Sequence, residues 1–137
     1  MIYVIDTSFA GALIIPDEKN SSAEKIYKSI VNDDQKYIPH LFYYEMANVF
    51  MNLIRRKRNT YEEVLELLQV LSSIKLTIDS ETGTEYSQKL LRLCNAYNIT
   101  SYDAAYLELA ERKKAVLCTL DTGLQAAAKK YGVSFLK

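Results

Sequence analysis

The chain has 137 residues, of which 49% are hydrophobic and 25% are charged. This composition is typical of a globular domain and excludes a collagen-like, low-complexity or mainly disordered chain. Lysine plus arginine and aspartate plus glutamate each total 17, so the formal net charge is zero. Any binding of nucleic acid must therefore come from a local basic patch or a bound cation.

The sequence pattern predicts no membrane segment and no secretory signal. No apolar stretch approaches the roughly 18 residues of a membrane span, and residues 1–6 lack the basic and long apolar regions of a signal peptide. The two cysteines, Cys94 and Cys118, lie outside any CxxC or Cys/His motif, which argues against zinc and favours free thiols in a reducing compartment. We therefore expect a cytoplasmic protein folded as one domain over residues 1–137.

Five short runs rich in apolar and β-branched residues predict strands. They cover residues 3–5, 37–38, 74–78, 115–120 and 133–136. The run at 115–120 is apolar and is typical of a strand that is covered on both faces.

Helical patterns fill the first half of the chain between these strands. The first helix is expected over residues 9–15, with a cap from Thr7 or Ser8 and an end at Pro16. Apolar residues at helical spacing predict three more helices, which carry residues 23–31, 42–53 and 61–71. The second of these four helices is expected to end at residues 32–34.

The second half of the chain contains three predicted helices. Asp79-Ser80 is expected to cap the fifth helix, which ends near Asn98. Thr100 or Ser101 is expected to cap the sixth, which runs through Lys114. Asp121 is expected to open the seventh helix, and Gly132 ends it.

Strands and helices thus alternate from one end of the chain to the other. This order predicts a parallel sheet covered by helices on both faces, which is the α/β class. In such sheets, ligands bind at the carboxyl ends of the strands, near the point where the strand order reverses. The function is therefore sought among the polar residues expected at that edge.

Four acidic residues are expected there. Asp6 closes the first strand and Asp121 closes the fourth, while Glu45 and Asp103 lie near the starts of the third and sixth helices. Because helices that follow parallel strands begin at the carboxyl edge, these acids can reach one cleft although they are far apart in sequence. Their neighbours are largely apolar, which is unusual for solvated surface acids.

Each acid also has a purely structural interpretation. Asp6 and Asp121 suit helix caps, Asp103 suits the first turn of a helix, and Glu45 suits a solvated helix face. Taken singly, such structural roles are common. The convergence of all four on the ligand-binding edge favours a functional site.

A cleft with several carboxylates calls for a cation. The carboxylates repel one another and raise one another's pKa unless a positive charge is present. A ligand set made only of oxygen selects Mg²⁺ or Mn²⁺ rather than zinc, and such a cation suits hydrolysis of a phosphodiester bond. The four glycines fit neither GxGxxG nor Walker spacing, so nucleotide cofactors of those kinds are not indicated.

Four motifs in order resemble the PIN domain family. They are VIDTS at residues 4–8, YExxN at 44–48, YDAAYLELA at 102–110 and TLDTGLQAAAKKYG at 119–132. The length and the order of elements are similar to the VapC-like toxins of VapBC toxin–antitoxin systems. This resemblance implies a PIN-like three-layer fold with about five parallel strands and a Mg²⁺- or Mn²⁺-dependent ribonuclease that acts on RNA. It also implies a homodimer and, in many members, inhibition by a VapB-type antitoxin.

The resemblance also implies roles for individual residues. Asp6, Asp103 and Asp121 match acids of the family's metal site, and Glu45 matches its helical glutamate. Three hydroxyl residues match positions that support the acids or bind phosphate; they are Thr7, Ser8 and Thr119. The alternative for Thr7 or Ser8 is a helix cap.

Candidate residues for binding RNA lie in two places. Arg55, Arg56 and Arg58 belong to the densest basic run and would contact phosphates, although cations also simply favour a helix C-terminus. Tyr102 and Tyr106 flank Asp103 and are the candidates for stacking on a base, although most of the eleven tyrosines are expected to be packing residues.

Two rival functions remain open at this stage. A receiver-like phosphoacceptor on a similar sheet would use Asp79 after the third predicted strand, but no lysine follows the fourth strand as that chemistry requires. A non-catalytic RNA- or protein-binding module would retain the fold without activity; the presence of all four acids argues against it.

Overall fold

The computed structural model describes residues 1–32 and 35–136. Within these ranges, five strands form one parallel sheet, accompanied by seven α-helices and a 3₁₀ turn at Pro16–Glu18. The strands are β1 (Ile2–Ile5), β2 (Gln35–Ile38), β3 (Thr77–Ile78), β4 (Val116–Cys118) and β5 (Phe135–Leu136). The helices are α1 (Thr7–Ile14), α2 (Ser21–Ile30), α3 (Phe42–Arg55), α4 (Tyr61–Ser72), α5 (Thr84–Tyr97), α6 (Ser101–Lys113) and α7 (Thr122–Tyr131). The predicted α/β class and the predicted order of elements are confirmed.

The strand order places β1 at the centre of the sheet. The order is β3-β2-β1-β4-β5, and Tyr3 of β1 pairs with Lys36 on one side and Val116 on the other. The chain moves outward from β1 to β3, then crosses back to β4 and continues to β5. The strand order therefore reverses between β1 and β4, and this is where a sheet of this class forms a ligand-binding crevice.

The helices form two groups on opposite faces of the sheet. Helices α1 to α4 contact one another, whereas α5 packs on α6, which lies against β1 and β4. The crossovers run in opposite directions along the sheet, and right-handed connections then place the two groups on opposite faces. The result is the three-layer arrangement that the sequence resemblance implies.

Burial of the helix faces explains the stability of these layers. Helix α6 buries every residue from Ala104 to Ala110, because it crosses the central strands. Phe9 in α1 and Phe42 in α3 are fully buried on the other face. Burial of a side chain of this size contributes about 1.5–3 kcal/mol. No helix in the described ranges has the length and apolarity that spanning a bilayer requires.

Several predicted boundaries are wrong. The first helix begins at Thr7, with Asp6 rather than Thr7 or Ser8 as its cap. Strand β3 has only two residues, and β4 ends at Cys118. Helix α2 ends at Ile30, and Asp33 and Asp34 of its predicted end lie outside the described residues.

The predicted cap at Asp79 is also wrong. Helix α5 begins at Thr84, after Gly83, whose φ of 97° suits glycine. Asp79 instead accepts two hydrogen bonds from Arg112, at 3.0 Å to Oδ1 and 2.7 Å to Oδ2. The same guanidinium reaches Glu108 at 2.8 Å. A bidentate charged pair is stronger than a capping bond, so this partly buried ion pair accounts for the position of Asp79.

Candidate active site

Asp6 lies directly after β1 and is almost fully buried, with 4% of its surface exposed. Its Oδ1 accepts hydrogen bonds from Ser8 Oγ at 2.7 Å and from the Phe9 amide at 2.9 Å, and its Oδ2 accepts one from Thr119 Oγ1. Burial raises the pKa of Asp6, these three donors oppose the rise, and the negative charge of Asp121 adds to it. Asp6 is therefore both the cap of α1 and an acid whose ionised form is destabilised by burial and by the charge of Asp121.

The hydroxyls of Ser8 and Thr119 join the loop after β1 to the loop after β4. Besides contacting Asp6, Ser8 Oγ accepts a hydrogen bond from the Leu120 amide at 2.9 Å, and Thr119 Oγ1 accepts one from the Asp121 amide at 3.0 Å. Thr119 is fully buried. The two hydroxyls thus hold Asp6 and the backbone of Asp121 in a fixed relation at the crevice between β1 and β4.

Asp121 lies three residues beyond the end of β4, not directly after it as predicted. Its Oδ1 accepts a hydrogen bond of 2.8 Å from the Leu124 amide and thereby caps α7. The side chain of Gln125 donates to the Thr119 carbonyl at 2.9 Å and fixes this connection. The capping role considered for Asp121 is present, and its second carboxylate oxygen remains without a described donor.

Asp103 occupies the first turn of α6, where the Thr100 hydroxyl accepts a hydrogen bond from its amide at 3.2 Å. Among the described residues no donor hydrogen-bonds its carboxylate. Burial raises the pKa of Asp103, and the charges of Asp121 and Asp6 raise it further. Asp103 is thus an acid whose side chain has no structural partner in the described part of the chain.

Glu45 lies in the first turn of α3, across the cleft from α6. Its Oε1 accepts a hydrogen bond of 2.7 Å from the hydroxyl of Tyr106. Burial raises the pKa of Glu45, the Tyr106 bond lowers it, and the charges of Asp103 and Asp6 raise it. Tyr106 was predicted together with Tyr102 as a candidate for stacking on a base, and for Tyr106 this is wrong, because the residue is 2% exposed. The signal for its actual contact was its position three residues after Asp103, on the same helical face.

The structure places all four predicted acids at the carboxyl edge of the sheet, within electrostatic range of Asp6. Asp6 interacts electrostatically with Asp121, Asp103 and Glu45, and Asp103 interacts with Asp121 and Glu45. These residues come from the end of β1, the start of α3, the start of α6 and the cap of α7. The cleft therefore concentrates negative charge that only a cation or bound protons can compensate.

The donor set of this cleft suits a hard divalent cation. Within residues 1–32 and 35–136, no three His, Cys, Asp or Glu side chains form a group that could hold a metal ion by themselves. Mg²⁺ is commonly held by only one or two carboxylates, together with water and substrate oxygens. Oxygens without a described donor are present on Asp103, Asp121 and Glu45. The residues fit a cation that completes its shell with water and substrate.

Comparison with known proteins identifies the family. The model of the PIN domain family matches residues 3–130. The chain belongs to the PIN domain family. A curated relative, Ribonuclease VapC3 of Pyrobaculum aerophilum, is 29% identical over 124 residues, which cover 90% of this chain and 92% of that relative.

Solved structures have the same PIN fold. The protein in the crystal structure of PAE2754 from Pyrobaculum aerophilum is 29% identical in sequence to this chain, and the two structures match with a TM-score of 0.71. The match covers 98% of this chain and 92% of that chain. VapBC2 from Rickettsia felis, bound to a DNA fragment from its promoter, is 16% identical with a TM-score of 0.69; the match covers 98% of this chain and 97% of that chain. The predicted PIN-like fold is confirmed.

A pocket of about 320 Å³ adjoins the acidic cluster of this PIN domain. Thr7 and Ser8 line it on the side of the acids, and Asn52, Arg56 and Arg58 line it on the side of α3. Two of the predicted RNA-binding arginines therefore lie beside the residues that contact Asp6.

Arg58 of this pocket is also held by ion pairs with Asp17 at 3.2 Å and Glu18 at 3.6 Å. The remaining predicted RNA-binding residues, Arg55 and Tyr102, do not line the pocket. Arg55 is exposed at the end of α3. Tyr102, at the start of α6, is 59% exposed.

The two cysteine thiols of the PIN domain are not expected to act as nucleophiles in the acidic cleft. Cys94 and Cys118 are both free, and Cys118 is fully buried. Burial, with a contribution from the charge of Asp6, raises the pKa of the Cys118 thiol to about 12. A thiol with so high a pKa is not a nucleophile at neutral pH.

Proposed function

We propose that this PIN domain is a Mg²⁺- or Mn²⁺-dependent endoribonuclease that hydrolyses RNA phosphodiester bonds. The observation that carries the proposal is the convergence of Asp6, Glu45, Asp103 and Asp121 on one cleft, where burial and mutual repulsion raise the pKa of three of them. Membership of the PIN family and the relative named Ribonuclease VapC3 support it.

The proposed metal ligands are Asp6, Asp103 and Asp121, of which one or two would bind the cation directly and the rest through its water molecules, as is common for Mg²⁺. A carboxylate offers about four acceptor positions, so Asp6 keeps about one beyond its three hydrogen bonds, and Asp103 and Asp121 keep more. When bound, the cation supplies an acidified water and a positive charge against the phosphate oxygens. Ser8 and Thr119 hold Asp6 in position for this task, and their hydrogen bonds offset part of its burial cost.

Glu45 is the proposed proton acceptor for the attacking water. One of its oxygens is held by Tyr106, which leaves the other open to the cleft. Its raised pKa brings it closer to the range in which a carboxylate accepts and returns a proton near neutral pH. Thr7 lines the neighbouring pocket, where Arg55, Arg56 and Arg58 are proposed to attract the RNA backbone.

The test is cleavage of an end-labelled single-stranded RNA by the purified protein. We expect cleavage with Mg²⁺ or Mn²⁺ and none with excess EDTA. Asp103→Asn should lower the rate by at least about 100-fold, and it removes no described hydrogen bond of the fold. The matched control is Glu111→Gln, which neutralises an exposed acid on the same helix and should retain wild-type activity. Wild-type activity of Asp103→Asn, or activity that resists EDTA, would refute the proposal.

RNA binding without cleavage by the wild-type protein would favour the non-catalytic alternative. The receiver-like alternative gains no support from the geometry, since the carboxylate of Asp79 is engaged by Arg112. Acetyl phosphate should therefore produce no phosphoaspartate adduct detectable by mass spectrometry.

We further propose that the chain is the toxin of a VapBC-type pair, with a VapB-type antitoxin as partner, and that it is a cytoplasmic homodimer. The name of the 29%-identical relative supports the pair. The exposed apolar residues Leu65 (43%) and Leu68 (45%) on α4 support a protein interface. Co-expression with a small reading frame that adjoins its gene should yield a co-purifying, inactive complex, and light scattering of the chain alone should give twice the chain mass. Failure of any neighbouring product to co-purify would contradict the pair, and a monomer would contradict the homodimer.

A further inference from the structure

A second pocket opens beside the acidic cluster at the same edge of the sheet. It has a volume of about 260 Å³ and lies between the loops that follow β2 and β3, helix α5 and the start of α6. Tyr86 and Leu90 of α5 form one wall, Tyr102 of α6 forms another, and His40 and Thr82 lie on the two loops. None of these five residues belongs to the proposed machinery of hydrolysis.

Tyr102 lines this pocket and directly precedes Asp103 of the acidic cluster, so their Cα atoms are about 3.8 Å apart. The residue is 59% exposed, so most of its side chain does not pack in the core. A large aromatic ring in water next to a charged cleft has an unused face that a planar ligand can cover.

The charges that line the two neighbouring pockets differ. The pocket beside Ser8 contains Arg56 and Arg58, which suit phosphate. The pocket at Tyr102 is lined by no lysine or arginine among the described residues; of its two carboxylates, Asp79 is already paired with Arg112, and Glu81 has no described ion pair. The lining therefore offers phosphate no cation, whereas an uncharged planar group with polar edges fits.

We propose that the Tyr102 pocket binds the nucleobase of the nucleotide next to the cleaved phosphate, with the base stacked on the Tyr102 ring. This inference rests on the proposed ribonuclease function. Stacking supplies affinity that tolerates every base, and His40 and Thr82 at the rim supply donors and acceptors for its edge. The base must leave its helical stack to enter, so the RNA is single-stranded at that nucleotide. The phosphates then run across the acids toward Arg56.

The test is a set of single-stranded RNA oligonucleotides in which one base at a time is replaced by an abasic site. With the wild-type protein, one abasic position next to the cut should lower kcat/KM by about 5- to 150-fold. Tyr102→Ala should show a similar loss on the intact RNA and no further loss at that abasic position. Tyr102→Phe keeps the ring and should behave as wild type. Leu91→Ala removes an apolar side chain of comparable exposure, 67%, on α5 outside the pocket lining, and is the matched control.

The possible failures are distinguishable. If the wild-type protein cleaves no RNA, the proposed function fails. If it cleaves but every abasic position is neutral, or if Tyr102→Ala keeps full activity or the full abasic penalty, the base pocket alone is refuted. The abasic series on the wild-type protein needs no variant, so it decides the question even if Tyr102→Ala does not fold.

Discussion

The hydroxyl of Tyr106 donates a hydrogen bond of 2.7 Å to Oε1 of Glu45 and thereby joins α6 to α3 across the acidic cleft. The tyrosine is 2% exposed, so water does not compete effectively for this bond. Burial raises the pKa of Tyr106 and the Glu45 contact raises it further, so the phenol stays a donor at neutral pH. The bond fixes which oxygen of Glu45 remains open to the other acids.

Tyr106→Phe keeps the ring and removes this donor. We expect kcat to fall about 10-fold or more while KM changes little, because the substrate still binds but Glu45 is no longer oriented. Since the hydrogen bond lowers the pKa of Glu45, its loss should also move the acidic limb of the pH–rate profile to higher pH. Steady-state kinetics between about pH 5 and 8 would measure both effects. A variant that loses stability but keeps the wild-type profile would show that the tyrosine is only structural.

Arg56 and Arg58 line the same pocket but are expected to differ in role. Arg58 is held by Asp17 and Glu18, whereas no described carboxylate pairs with Arg56. Arg56→Ala should weaken binding of RNA and lower the slope of log affinity against log salt by about 1.

Arg58→Ala should lower the salt slope less, because Asp17 and Glu18 already share its charge, and it should also cost up to about 1 kcal/mol of stability, as for other exposed ion pairs. Salt titrations by fluorescence anisotropy, together with urea unfolding, would separate the two arginines. Equal effects of the two variants on the salt slope would contradict this division.

The acidic cleft makes the stability of the metal-free protein depend on pH. The pKa values of Asp6, Glu45 and Asp103 are raised, with burial as the largest cause. When the pKa of a carboxyl is higher in the folded than in the unfolded protein, the group stabilises the fold fully at pH values below its pKa in the unfolded protein. This contribution is lost as the pH rises through its pKa in the folded protein. The free energy of unfolding contributed by these groups should therefore fall as the pH rises above about 4.

The effect is isolated by comparing the wild-type protein with Asp103→Asn. The lowered pKa of Asp79 gives stability the opposite pH dependence, but this contribution is the same in both proteins and cancels in their difference. Burial opposes the lowering at Asp79, but the Arg112 contacts outweigh it. Without metal, Asp103→Asn should have the higher Tm near neutral pH, and the difference should vanish near pH 3 to 4, where the carboxyls are protonated. A lower Tm for the variant at neutral pH would mean that Asp103 stabilises the fold rather than straining it.

Local patterns in the sequence predicted the elements well because their causes are local. Thr100 caps α6 three residues ahead of Asp103, and Gly132 ends α7, since both depend on neighbours within one helical turn. The convergence of the acids was also predictable, because strand ends and the helix starts that follow them share one edge of a parallel sheet.

Contacts between distant residues were not predictable in this way. Arg112 and Asp79 are separated by 33 positions, and Tyr106 and Glu45 by 61. No periodicity or motif relates such residues, so Asp79 was taken for a helix cap and Tyr106 was considered only for stacking on a base. The hydrogen bonds of Asp6 add a second point: the alternatives of cap and site residue are compatible, since different lone pairs of one carboxylate can serve the two roles.

The central claim is that the converging acids hold a hard divalent cation, and calorimetric titration of the metal-free protein with Mn²⁺ tests it most directly. The wild-type protein and Glu111→Gln should bind Mn²⁺ saturably near neutral pH, and Asp103→Asn should bind it at least about 10-fold more weakly. Absence of saturable binding by the wild-type protein, or equal affinity for Asp103→Asn, would contradict the account.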